Sequence, residues 1–149
     1  MSQRISAIVL GGMLLTVALL VGSGPAAAAD DVHKVAIQVN SDDKKTVTIA
    51  LNNAKNVIKH YGVGFVEVEI VAYGPGLVLF KKDSPYKDRL VGLNAYGNVH
   101  FGVCRNTMNK MNLTKEGLIA EAFVQDAIVP SGVVRLMELQ EAGYSYIKP

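Results

Sequence analysis

Lys34, Val35, Ala36, Ile37, Gln38 and Val39 form a short, β-branched, mostly apolar run that ends in the turn cluster Asn40, Ser41, Asp42, Asp43. That pattern predicts a first strand and its loop. From Thr46 the period changes: Val47, Ala50, Leu51, Ala54, Val57, Ile58 and Tyr61 recur at steps of three and four, with Asn52, Asn53, Lys55, Asn56 and Lys59 between them. The pattern is that of an amphipathic helix stopped at Gly62. Val66 to Ala72 alternates Glu67 and Glu69 with Val66, Val68 and Ile70, so it predicts a second strand with one face partly solvated or covered by another chain.

Tyr73, Gly74, Pro75 and Gly76 end that strand, and Leu77 to Lys81 suits either a short helix or a strand. Asp83, Ser84 and Pro85 look like a cap for a helix over Tyr86 to Tyr96 that stops at Gly97. Val99 to Val103 predicts a third strand, followed at once by Cys104 and a short helix over Asn106 to Met111. After a turn at Leu113 to Gly117, the apolar residues of Leu118 to Val129 suit a short helix running into a strand near Ala127 to Val129. Pro130, Ser131 and Gly132 interrupt the chain, Val133 to Ala142 is a helix with Val133, Leu136, Met137 and Gln140 on one side, and Gly143 caps it before a last strand, Tyr144 to Ile147.

Strands alternating with helices imply an α/β fold of parallel strands joined by right-handed crossovers, with helices on both faces of one sheet. Ligands in such sheets bind beyond the carboxyl ends of the strands. Four loops fall at that edge: Asn40 to Lys44, Tyr73 to Gly76, Cys104 to Thr107 and Pro130 to Gly132. They are expected to form one shallow site around the thiol of Cys104.

The first 29 residues change the picture of where the chain works. Arg4, a mostly apolar stretch from Ile5 to Val21 and the small residues Ala26 to Ala29 before Asp30 and Asp31 have the three parts of a secretory signal cleaved after Ala29. The alternative is an uncleaved anchor, since about 17 apolar residues could just span a bilayer. Residues 30–149 then make one domain in the periplasm or otherwise outside the cytoplasm. Loss of Arg4 with the signal takes the formal charge from +2 to +1, and with signs interspersed this argues against a nucleic-acid partner or a stable association with a membrane surface once the signal is gone. The apolar content, with Tyr61, Tyr73 and Tyr144 expected to be exposed, fits a homo-oligomer.

One cysteine in an exported chain cannot form an internal disulfide, so it is buried and inert, bonded to something else, or kept for its reactivity. Cys104 lies where a strand gives way to a helix, beside Arg105. Unpaired N–H groups of Asn106 and Thr107 there would favour a thiolate. This is the position for a nucleophile or persulfide carrier, the other reading being a small apolar filler. Its candidate binding partners are Arg105, Asn106, Thr107, Asn40, Gly74, Pro75, Gly76, Pro130, Ser131 and Gly132.

His100 shares a strand face with Cys104 but lies about 13 Å away at the usual rise, so it is expected to be a core histidine. His33 and His60 fall near element ends and are expected to be solvated. Cys104, Met108 and Met111 have the spacing of a soft-metal site, but methionines at that spacing are more often core, and no metal is assigned. Gly74 to Gly76 lacks the lysine and the length of a phosphate loop, so no cofactor is expected.

Three separated segments carry a resemblance: Tyr73 to Leu77; Val103 to Met108; and Val129 to Val133 continuing through Leu139 to Tyr144 and on to Pro149. On them the chain resembles the DsrE/DsrF-like family, and looks like an exported branch of it. The resemblance implies a three-layer α/β/α fold with a mostly parallel five-stranded sheet, assembly as trimers or hexamers, and a cysteine that carries a persulfide between a sulfur donor protein and an acceptor. That role would fall on Cys104. Arg105 departs from the pattern, standing where a glycine would be expected. The other reading left open is a non-catalytic oligomeric module that binds a small ligand or soft metal and whose cysteine is structural.

Overall fold

The computed structural model describes residues 32–149; the proposed signal segment lies outside the described residues. Five strands, β1 (His33–Val39), β2 (Val66–Ala72), β3 (Val99–Cys104), β4 (Ile128–Val129) and β5 (Ser145–Ile147), form one parallel sheet in the order β4-β3-β2-β1-β5. The chain steps outward from β1 to β4 and then crosses back to lay β5 beside β1. With right-handed crossovers, that reversal puts the last connection on the face opposite the earlier ones.

The first face carries α1 (Lys44–Tyr61), α2 (Lys87–Asn94) and α3 (Arg105–Lys110). Asp43 starts α1 by accepting from the Thr46 amide at 2.8 Å, two residues earlier than the apolar period suggests. Val47, Ala50, Leu51, Ala54 and Ile58 of α1, Leu90 and Leu93 of α2 and Met108 of α3 pack on Val35, Ile37, Val39, Val68, Ile70, Phe101 and Val103, forming the main core. Burial of each of the larger ones (Val, Leu, Ile, Met or Phe) contributes about 1.5–3 kcal/mol.

The segment expected as a helix or strand at Leu77 to Lys81 is a 3-10 helix from Gly74 to Phe80. Gly76 explains its placement: a Cβ there would lie 2.1 Å from the Val39 carbonyl oxygen, so only glycine lets this segment lie flush against the end of β1. A four-residue helix, α4 (Ala122–Gln125), precedes β4.

Among the described residues the second face is covered by α5 (Gly132–Glu141) alone, through a small cluster of Ala36, Val71, Leu136 and Leu139 flanked by Tyr73 and Tyr144. The expected apolar side of this helix is rotated. Leu136 and Leu139 are buried, whereas Val133 and Met137 are 51% and 56% exposed and Gln140 is exposed as well. The same economy of cover leaves part of β3 open. His100 is an exposed residue rather than a core histidine, because α5 does not reach its end of β3, and its Nε2 lies 3.7 Å from Glu67. His33 and His60 are exposed, as expected; His33 lies tilted over the Tyr61 ring and His60 meets it edge-on. Of the three tyrosines expected to be exposed, Tyr61 is, while Tyr73 and Tyr144 are half-buried beside α5.

Candidate functional site

Cys104 ends β3 and is the N-cap residue of α3, with extended backbone (φ −71°, ψ 111°). Strand alternation turns it to the α5 side of the sheet, where residues with His100 parity lie, while Met108 enters the opposite core and Met111 is exposed. The three soft side chains are therefore not brought together. Among the described residues no group of three or more His, Cys, Asp or Glu side chains is placed to hold a metal ion.

The four loops at the carboxyl edge do meet, and hydrogen bonds hold them. Tyr73 N–H donates to the Val39 carbonyl at 3.1 Å, joining the β2 loop to the end of β1 beside Asn40. Gly74 N–H donates to Thr107 Oγ1 at 2.8 Å, joining the β2 loop to α3. Asn106 N–H donates to the Pro130 carbonyl at 3.3 Å, joining α3 to the loop before α5. Gly132 completes the ring: a Cβ there would lie 3.0 Å from the Tyr73 side chain, so its lack of one lets the start of α5 sit directly over the β2 loop.

At the centre, Cys104 is 4% exposed. Burial pushes its thiol up, but the Thr107 hydroxyl and the backbone N–H groups of Gly132, Thr107 and Asn106 act the other way and together hold it below the ordinary thiol value. The sulfur closes no side-chain cap bond of full geometry, Asn106 N–H being spent on Pro130, so these groups act on it chiefly as oriented dipoles. Thr107 is buried, Ser131 and Asn40 are half-buried, and Arg105, Asn106, Pro75 and Pro130 are exposed around the rim.

Two further residues belong to the site. Tyr73 lies near both Cys104 and Tyr146; burial and those neighbours push its hydroxyl up, while Asn40 beside it acts the other way. Tyr146 donates to Gln38 Oε1 at 2.5 Å. The one legible signal for this pair is the polar Gln38 inside an otherwise apolar strand. Behind them, Arg135 of α5 grips Glu69 of β2 through Nε–H···Oε1 and Nη2–H···Oε2, both 2.7 Å. That clasp fixes α5, and with it Gly132, over the thiol. Beside it the uncovered part of the face forms a groove of about 350 Å³ lined by Glu67, Glu69, His100, Asp126, Val129 and Arg135.

The chain's known likenesses agree with this architecture. The model of the DsrE/DsrF-like family matches residues 33–149. A solved structure of a protein of unknown function from Methanobacterium thermoautotrophicum superposes with a TM-score of 0.70 at 26% identity, covering 78% of this chain and 99% of that one. No curated protein matches the sequence.

Proposed function

The chain belongs to the DsrE/DsrF-like family, which is associated with sulfur relay, and on that premise we propose that it carries sulfane sulfur on Cys104. The Cys104 thiolate attacks the outer sulfur of a persulfide donor, R–S–SH. A bond forms between Sγ and that sulfur, the donor's S–S bond breaks, and the donor leaves as its thiol with the proton. An acceptor thiolate then attacks the outer sulfur, and Cys104 departs as a thiolate. No net oxidation occurs in either step.

The observation that carries this reading is the place of Cys104 at the end of β3 and the cap of α3, where four hydrogen-bonded loops meet and oriented dipoles of Thr107, Gly132 and Asn106 hold its thiol below the ordinary value. A filler cysteine at the end of a strand has no need of them. A thiol held below its ordinary value supplies more thiolate for the first step and is the better leaving group in the second. Export is part of the proposal, supported by the composition of residues 1–29. So is self-association, supported by exposed Val133, Val134 and Met137 on α5.

A second reading is favoured by the 4% exposure of Cys104: the cysteine is structural and the groove beside Arg135 holds a small ligand. Transfer separates the two. Protein loaded from polysulfide and then offered a small thiol acceptor passes sulfur on under the first reading. Equal behaviour of wild type and Cys104→Ser would leave the second.

A further inference from the structure

We infer that the open edge of β3 beside β4 is a docking notch for an extended segment of a partner polypeptide that alternates apolar and basic residues. β4 is two residues long and pairs with Val103 and Cys104 alone, so the edge of β3 from Val99 to Phe101 has no neighbouring strand among the described residues. The bonds around that edge show which backbone groups face it. Along a strand the N–H and C=O of one residue point to one side and those of the next to the other. Val68 N–H of β2 donates to the Asn98 carbonyl at 3.0 Å, and Val103 N–H donates to the Ala127 carbonyl, just before β4, at 2.8 Å. Val99 and Phe101 share the parity of Val103, so their N–H and C=O groups face the open side. The chain itself does not continue the ladder there. Ala127 N–H, which would have reached the Phe101 carbonyl, donates to the Val124 carbonyl instead at 3.2 Å. Among the described residues these four groups find no backbone partner.

A strand edge of this kind is complemented by an extended chain, which repeats donors and acceptors at the matching spacing. The edge is also recessed. β4 stands one strand spacing, about 4.8 Å, farther out, and α4 flanks it through the Phe123 ring, whose centroid is 5.3 Å from that of Phe101. A single segment enters such a recess, whereas the broad flank of a second copy of this chain meets β4 and α4 first. The two faces of the edge then set the side chains. On the α5 face it opens into the groove beside Arg135, where Arg135 is engaged with Glu69 and the carboxylates of Glu67 and Asp126 remain for a cation. On the opposite face it opens into a second groove, of about 250 Å³, lined by Val99, Phe101, Phe123 and Asn94 among others. Successive residues of an added strand point to opposite faces, so one position takes a lysine or arginine and the next an apolar side chain. A partner held there lies along the strand that ends at Cys104. That purpose rests on the carrier reading, but the test does not involve the thiol.

The test is amide hydrogen exchange of the protein, read residue by residue by NMR, with and without a short blocked peptide of alternating valine and lysine. At saturation the peptide should slow exchange of the Val99 and Phe101 amides about tenfold, since each gains an acceptor. The same peptide with glutamate in place of lysine, or N-methylated along the edge that meets β3, should leave them unchanged. Glu67→Gln combined with Asp126→Asn should weaken binding about fivefold, the loss of two partly exposed ion pairs. Unchanged exchange at Val99 and Phe101, an equal effect of the glutamate or N-methylated peptide, or an affinity indifferent to the double substitution would overturn the inference. So would protection confined to β5, the other edge of the sheet. Protection of Val99 and Phe101 without peptide that grows with protein concentration would put a second copy in the notch and overturn it too.

Discussion

Arg135 and Glu69, 66 residues apart in the chain, meet in a two-pronged ion pair whose carboxylate is almost wholly buried. The pair ties α5, the only helix on its face of the sheet among the described residues, to the middle of β2. Removing the guanidinium leaves a buried charge without its partner. Arg135→Met is therefore expected to cost about 3 kcal/mol, the low end for a buried pair because Arg135 is a third exposed. Urea unfolding measures it. The double variant with Glu69→Met should recover most of the loss, and an equal loss in single and double variants would mean that packing of the arginine stem, not the charge, is what matters.

Glycines give a pair of opposite predictions. Gly76→Ala drives a methyl group into the Val39 carbonyl and should destabilise by more than about 2 kcal/mol, since backbone on both sides must move. Gly92→Ala, within α2 and with nothing near its Cβ position, should instead stabilise by about 0.5–1 kcal/mol. Thermal melting of the two variants side by side checks both signs.

The depressed thiol has a consequence for stability against pH. Cys104 ionises more easily folded than unfolded, where a free thiol titrates near about 8.5. Its contribution is fully present above that value and is lost as pH falls through the lower folded value. Wild type should thus gain stability relative to Cys104→Ser as pH rises toward about 8.5. Urea midpoints across that range would show it, and a constant difference would argue that the folded thiol is not depressed.

Val133 and Met137 leave an apolar stripe on the outer side of α5. Apolar side chains grouped on a helix that also covers the thiol are expected to be an interface between copies. Light scattering should report a mass above that of one chain, and Val133→Lys with Met137→Lys should reduce it to one. A wild type that runs as a single chain at micromolar concentration would contradict this.

Much of the architecture was legible because it is local. Strand β1, helix α1 and the strand-to-helix junction at Cys104 each announce themselves by period, cap residues and turn chemistry within a dozen residues. The meeting of the four loops also followed, since parallel strands put their carboxyl ends on one edge. Long-range pairing was not legible: nothing near Glu69 signals that an arginine 66 residues later will cover it. Nor does the sequence around His100 say that α5 will stop short of it. The rotated buried side of α5 has the same origin, because Arg135 and the small residues Ala36 and Val71 decide which way it rolls, and the apolar period of the helix alone does not.

The central claim is that Cys104 takes up sulfane sulfur. Intact mass of the protein without residues 1–29, recorded after native exposure to polysulfide and removal of the excess, tests it most directly. The account requires a gain of one or more sulfur atoms that a reducing thiol reverses and that Cys104→Ser abolishes. An unchanged mass in the native protein, with sulfur added only after denaturation, would contradict it.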